Sequence, residues 1–529
     1  MSNSPASRWP RSAVAIVTIV ALLAGVSGGI AIALYQRNAR LQDQLDTTAA
    51  QLASAQARIT ALEQQVENQN PLGGLFGGTE GGGSGLGGLG DLLGGLLGGE
   101  GSGDLGDLLG GLLGGGPEGG LDPSALAACV TTSPGSIQVD ATDVDRQVEQ
   151  VTEAVEQLRH LEVEGAIDPV LVTPEEMTAR VQELARDSYP DDVADADRRL
   201  LVALGAIPAD YDLTEGQIEM LGGAVAGYYD PETHELVVAT PAGGGALEPL
   251  DLVTLAHEIT HAVTDEQLGF PGLMDDPRAD PEPFRAAQAL IEGDATLTMQ
   301  QFSVGALDLG DQLGMLLNPR VLGAQGAVAD VPYVLSASTQ FAYFDGMSFA
   351  CAVSSQGGTE ALDQAYARPP TSTAEILFPE RYLQSVAPLD PDAVGGPGSG
   401  WEQLRSTGFG AEDLLFLWSA PGDDTSSSLS DPRLRSAAWA GGEVTLWARG
   451  ADTAVGIGLV DSGEGSATMC ESMAAWEEAA FPTARSGQAI GDERLVHDGN
   501  GRSAILVCSG DQVRLGIAPD EATARSIAG

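Results

Sequence analysis

Residues 250–268 read LDLVTLAHEITHAVTDEQL. Leu252, Leu255, Ile259 and Val263 recur at helical spacing and predict a helix with one apolar face. The same helix carries His257, Glu258 and His261, in the order His-Glu-Ile-Thr-His. Side chains four residues apart lie one turn apart on one face. Both imidazoles can then reach a single tetrahedral zinc ion, at bond lengths of about 2.0–2.1 Å. Glu258 adjoins the first His and can face the open coordination position. From there it can take a proton from an attacking water and pass it to a leaving amine. The chain contains only five His, namely His160, His234, His257, His261 and His497. With so few, this spacing is hard to obtain by chance.

A catalytic zinc site normally has three protein ligands plus water. No third His follows His261 closely, so the HExxHxxGxxH arrangement is absent. Residues 283–304, PFRAAQALIEGDATLTMQQFSV, form a second helical pattern in which Ala287, Leu290, Ile291, Ala295 and Leu297 are apolar. Glu292 lies 31 residues after His261, which leaves room for a loop and a helix packed across the first. Glu292 is the expected third ligand. Residues 226–240, AGYYDPETHELVVAT, read as an entry turn at 228–233 followed by a strand from His234 to Thr240.

Together these residues resemble the gluzincin class of zinc metallopeptidases, which combine HExxH with a Glu on a following helix. The E-G-x-A form found in some members stands here as Glu292-Gly293-Asp294-Ala295. The resemblance implies a peptidase, probed by an extended peptide that pairs with an edge strand beside the zinc helix. That role falls on residues 234–240. In many relatives an Asp four residues after the Glu supports the first His. Position 296 is Thr here, so Asp294 and Asp265 are the candidates for that outer hydrogen bond.

Two further segments, FAYFDGMSFA at 341–350 and YARPPTSTAEILFPERYL at 366–383, look like those of bacterial proteins carrying HExxH and EGDA. Such relatives often have His before the Pro-Glu, where this chain has Phe378. Tyr343 and Tyr382 are candidates for a transition-state hydrogen bond to the oxyanion. The resemblance covers roughly residues 140–385.

Outward from this centre, residues 140–222 read as helices that pack around it. Residues 385–400 are rich in Pro and Gly and read as a connection. Beyond residue 430 a β-β-α-β-β-α order suggests a small α+β layer. All four Cys lie after residue 128. Cys470 with Cys508 is the favoured local pair, which leaves Cys129 with Cys351. Both bridges can form if the domain lies outside the cytoplasm.

Residues 13–34, AVAIVTIVALLAGVSGGIAIAL, contain no charge and are long enough to span a bilayer. The short preceding tail favours an uncleaved anchor with its N-terminus in the cytoplasm. Leu41, Leu45, Thr48, Leu52, Ala55, Ile59, Leu62 and Val66 alternate at four and three residues, a heptad seam that predicts a coiled coil and a homo-oligomer. Residues 71–120 are Gly- and Leu-rich, and LGDLLGGLLGG occurs at both 89–99 and 105–115. That composition reads as a flexible tether.

The predicted organisation is α+β. Residues 1–35 are a cytoplasmic tail and transmembrane helix, 36–70 the coiled coil and 71–120 the linker. Residues 121–385 are a mainly helical, zincin-like domain with a small sheet and edge strand, and 386–529 a C-terminal α+β region. The expected protein is a single-pass membrane peptidase acting outside the cytoplasm on peptides or proteins. The formal net charge of −50, with 25 Arg and no Lys, argues against a nucleic-acid partner. Two other functions fit the same residues. One is a metal-binding envelope scaffold or adhesion module without catalysis. The other is a zinc hydrolase of a non-peptide bond. Glu258 favours an enzyme, because metal binding alone does not require it.

Overall fold

The computed structural model describes residues 129–240, 246–270, 280–316, 318–321, 324, 331–481, 485–486, 493–497 and 502–529. The expected transmembrane helix, coiled coil and Gly/Leu linker lie outside the described residues. Among the described residues no helix is long and apolar enough to cross a membrane. The architecture is α+β.

The chain enters through helix α1 (Val144–Arg159) and a short strand, β1 (Val170–Val172). Helices α2 (Pro174–Ser188), α3 (Asp191–Ala203) and α4 (Leu213–Ala224) follow. Helix α2 starts on a capping box in which the Thr173 hydroxyl accepts from the Glu176 N–H and Glu176 accepts from the Thr173 N–H. Strands β2 (Gly227–Asp230) and β3 (Glu235–Ala239) form a hairpin. Its turn is held by Asp230, whose carboxylate accepts from the Glu232 N–H and the Thr233 hydroxyl.

This hairpin corrects two expectations. Residues 227–230 are a strand, and the turn begins only after Asp230. The sheet order is β1-β3-β2, with β1 parallel and β2 antiparallel to β3, so the 235–239 strand is central. The physical reason is written in its composition. Leu236-Val237-Val238-Ala239 is a continuous apolar run with every residue buried, the pattern of a strand covered on both faces.

Two long helices make the centre of the molecule, α5 (Pro249–Leu268) and α6 (Pro281–Ala306). Each opens with Pro at its first turn, where the missing N–H costs nothing. Asp251 caps α5 by accepting from the Glu248 N–H at 2.9 Å. Arg320 bonds both Asp251 and the Ala239 carbonyl, which joins the start of α5 to the end of β3. Both helices are buried nearly all round, not along one stripe. A helix enclosed in this way is a core element. After α7 (Leu309–Leu316) comes α8 (Tyr333–Ala367), kinked at Gly357–Gly358, where Gly358 has φ +70°.

Helices α6 and α8 cross in backbone contact. A Cβ built on Gly293 would lie within 2.2 Å of the Gly346 carbonyl, and one on Gly346 would lie 2.2 Å from the Ala289 oxygen. Only glycine at both positions permits this approach. Cys351 of α8 is also bridged to Cys129, and the second disulfide joins Cys470 to Cys508, the two pairs favoured by the sequence.

Short helices α9 (Thr373–Leu377) and α10 (Pro379–Gln384) lead to the C-terminal layer. It contains β4 (Glu402–Gly408), α11 (Ala411–Ser419), α12 (Pro432–Ser436), β5 (Trp439–Arg449), β6 (Asp452–Asp461), α13 (Met469–Ala480), β7 (Arg485–Ser486), β8 (Glu493–His497), β9 (Ser503–Ser509), β10 (Gln512–Ala518) and α14 (Glu521–Ala528). The strands form one antiparallel sheet in the order β4-β5-β6-β10-β9-β8-β7. Ala524, Ile527 and Ala528 of α14 pack on Trp447, Ala454 and Ile505 of the sheet.

The described residues belong to one compact unit. Arg285 of α6 pairs with Glu412 at 3.2 Å and Asp413 at 2.7 Å, and Arg405 of β4 pairs with Asp197 of α3 at 2.5 Å. Glu282, buried at the start of α6, accepts from the N–H and hydroxyl of Thr373 at 2.7 and 2.9 Å. Its second oxygen has no hydrogen-bond partner among the described residues.

Burial pushes the Glu282 carboxyl up to about 7 from about 4.5, with Arg285 opposing and Asp413 adding to the rise. The native state therefore binds this proton more tightly than the unfolded chain does. Stability from this group is complete below pH of about 4.5 and is lost as pH rises through about 7, a change on the order of 3 kcal/mol. Denaturant midpoints measured from pH 4.5 to 8 should carry this downward slope, and Glu282→Gln should remove it. An unchanged slope in the variant would show that other groups cause it.

Candidate metal centre

Helix α5 places His257 and His261 on its face toward α6, and α6 presents Glu292 between them. The Nε2 atoms of the two His lie 3.0 Å apart. Glu292 Oε2 is 3.2 Å from His257 Nε2 and 3.3 Å from His261 Nε2. Three ligand-type atoms thus form a nearly equilateral triangle. The edge expected for ligands tetrahedrally placed about 2.0–2.1 Å from an ion is about 3.3 Å. The donor set fits a divalent metal. The three residues are the group of potential ligands found among the described residues, and all are buried.

The three groups set one another's protonation. Burial drives His257 down to about 4, keeping it neutral, although Glu292 pulls the other way. At His261 burial also opposes charge, but the Glu292 carboxylate outweighs it and raises the imidazole. Burial would lift Glu292. The two His overcome it and hold the carboxyl down at about 2. An anionic carboxylate therefore stands against both imidazoles at this triangle.

Glu258 is fully buried beside the triangle and belongs to no ligand edge. Its Oε1 lies 3.1 Å from where a Cβ of Gly227 would stand. Gly227 therefore leaves space on β2 for the Glu258 carboxylate. The nearby Thr254 methyl, 2.8 Å from the same point, closes that wall. Tyr343 of α8 is buried with its ring centroid 6.1 Å from that of His257. Phe270 stands edge-on to His261 at 6.1 Å. Of the residues singled out from sequence, His257, Glu258, His261, Glu292 and Tyr343 come together.

Asp294, Asp265 and Tyr382 do not join them. Asp294 turns to α1 and α8, pairing with Arg159 Nε at 2.9 Å and accepting from the Tyr366 hydroxyl at 2.8 Å. Arg159 also bonds Asp363 at 2.7 Å. This enclosed network clamps α6 two residues beyond Glu292. Asp265 accepts from the Tyr229 hydroxyl at 3.0 Å, and that hydroxyl is 2.7 Å from His234 Nδ1. Among the described residues neither His257 Nδ1 nor His261 Nδ1 has a hydrogen-bond partner, so none of them makes the expected outer bond to a carboxylate. The Tyr382 hydroxyl donates to the Arg368 carbonyl at 2.9 Å, a packing role. Arg159 and Gly346 were not anticipated. The buried Arg is visible in sequence only as one Arg at the end of an amphipathic helix.

The chain matches no family model, no curated protein and no solved structure.

Proposed function

We propose that this chain is a zinc-dependent peptidase of the gluzincin type, with a zincin-like catalytic fold in residues 121–385. The observation that carries the reading is the triangle of His257, His261 and Glu292, with Glu258 beside it. Three protein ligands leave a coordination position open, whereas a structural zinc site is normally closed by four. Bound zinc would polarise a scissile carbonyl and make a water molecule acidic.

The protein supplies the rest. Glu258 accepts a proton from the attacking water on its carboxylate and returns it to the leaving amine nitrogen. Glu292 and the two His hold their atoms in place before substrate arrives, because their helices cross in a close-packed core. Tyr343 is the candidate donor to the carbonyl oxygen as negative charge develops there. The edge-strand role that the resemblance implies passes to β2, which lies against Glu258 through Gly227.

The two disulfides support a location outside the reducing cytoplasm. Residues 13–34 would then anchor the chain, with the coiled coil of 36–70 setting an oligomer and 71–120 spacing the enzyme from the membrane. The test is hydrolysis of a mixed peptide library by the zinc-loaded full chain. Cleavage should stop with a chelator and return with added zinc. Absence of cleavage by a chain that holds zinc would favour the scaffold.

A further inference from the structure

A second site lies apart from the metal centre, at the junction of α3, α4, α6, α8 and the C-terminal sheet. It is a cavity of about 480 Å³. Its wall includes Val193, Leu200, Leu213, Phe284, Leu335 and Phe416. None of His257, Glu258, His261 or Glu292 lines it. The volume equals the share of about 16 waters, and walls of this kind offer them few hydrogen bonds. Releasing such water to an apolar occupant is favourable, and the size falls within the range of pockets that enclose small organic ligands.

The polar groups of the wall decide the head of that occupant. Arg285 has most of its donors engaged. Its Nη1 bonds Glu412 and Asp413, its Nη2 bonds Asp413, and its Nε bonds the Pro281 carbonyl. Arg405 differs. It spends Nη1 on Asp197, which also accepts from the Tyr189 hydroxyl at 2.9 Å. Among the described residues its Nε and Nη2 donate to no other group, and neither atom is sealed from solvent. These two donors form one planar edge of the guanidinium, which matches a carboxylate in bidentate fashion.

We infer that this cavity binds a single-chain amphiphile, an aliphatic chain of about a dozen carbons ending in a carboxylate held by Arg405. The chain would lie along the apolar wall between α3 and α8, and the head would sit at β4. The inference is independent of what the metal centre does. Phe284, Arg285 and Gln288 place the cavity wall on the same helix as Glu292, so occupancy also bears on the segment that carries a candidate ligand.

The test uses the full chain with the neutral fluorophore N-phenyl-1-naphthylamine as reporter. Its fluorescence should rise on binding and fall as sodium dodecanoate displaces it. Dodecanol should displace it about tenfold less well, since it lacks the charged head. Gln217, on α4, lines the cavity, and its side chain makes no hydrogen bond among the described residues. Gln217→Trp takes up part of the space and should weaken both binding and displacement while circular dichroism stays unchanged. Arg405→Lys keeps the charge but loses the planar fork. It should erase the preference for dodecanoate over dodecanol and still bind the reporter. The inference is overturned if dodecanoate fails to displace the reporter. It is equally overturned if folded Gln217→Trp binds like wild type, or if Arg405→Lys keeps the full preference.

Discussion

Glu258→Gln is expected to lower peptide hydrolysis by about 10²–10⁴-fold while leaving the metal content of the chain unchanged. The substitution keeps the shape of a side chain that is fully enclosed between α5 and the Gly227 backbone. It removes only the capacity to accept a proton. Glu258 forms no edge of the triangle made by His257, His261 and Glu292, so the ion should stay. Steady-state kinetics on one cleaved peptide, beside metal analysis of the same sample, separates the two effects. Full activity in the variant would remove Glu258 from the mechanism. Loss of metal together with activity would make it a ligand or a structural support.

Gly293→Ala should destabilise the fold by about 3 kcal/mol or more and weaken metal binding with it. The added methyl would fall within 2.2 Å of the Gly346 carbonyl, and that neighbour is backbone, which cannot swing aside. Relief requires α6 and α8 to part. Glu292 precedes the substituted residue directly, and Tyr343 lies one turn before Gly346. Separation would therefore carry a candidate ligand and the candidate oxyanion donor away from the two His. Gly346→Ala should behave alike, since its methyl would meet the Ala289 oxygen at 2.2 Å. Denaturant midpoints and competitive zinc titration measure both consequences. A wild-type midpoint for either variant would mean that the crossing leaves room for a methyl group.

Much of the centre was legible in the sequence because it depends on local spacing. His257 and His261 share a helix face by their separation alone, and Glu292 sits on an apolar-periodic segment at a distance that permits a second helix. The two disulfide pairs followed from proximity and elimination. What escaped was set by contacts between distant segments. Asp294 looked like a supporting carboxylate for the His, but Arg159, from α1, claims it inside the core. The 234–240 strand looked like an edge because a gluzincin resemblance assigns it that role. Its unbroken apolar run instead marks a central strand, and β1, only three residues long, is the neighbour that encloses it. Strand β4 went unread because its Glu402–Gly408 sequence is polar and largely exposed, as suits a sheet edge.

The glycine of Glu292-Gly293-Asp294-Ala295 shows the same division. Its place in the motif was plain from sequence, while its physical task appears only with Gly346 opposite. A resemblance carried by motif letters thus acquires a cause, in which close helix crossing holds a carboxylate against two imidazoles. Gly227 has a similar task, leaving room for Glu258.

The most direct measurement is the zinc content of the purified full chain, compared with Glu292→Ala and His261→Ala after identical zinc loading and desalting. About one zinc per chain in the wild type, and a site weakened in both variants enough to empty on desalting, is the predicted result. A wild-type chain that retains no zinc, or variants that retain it as tightly as wild type, would contradict the three-ligand centre.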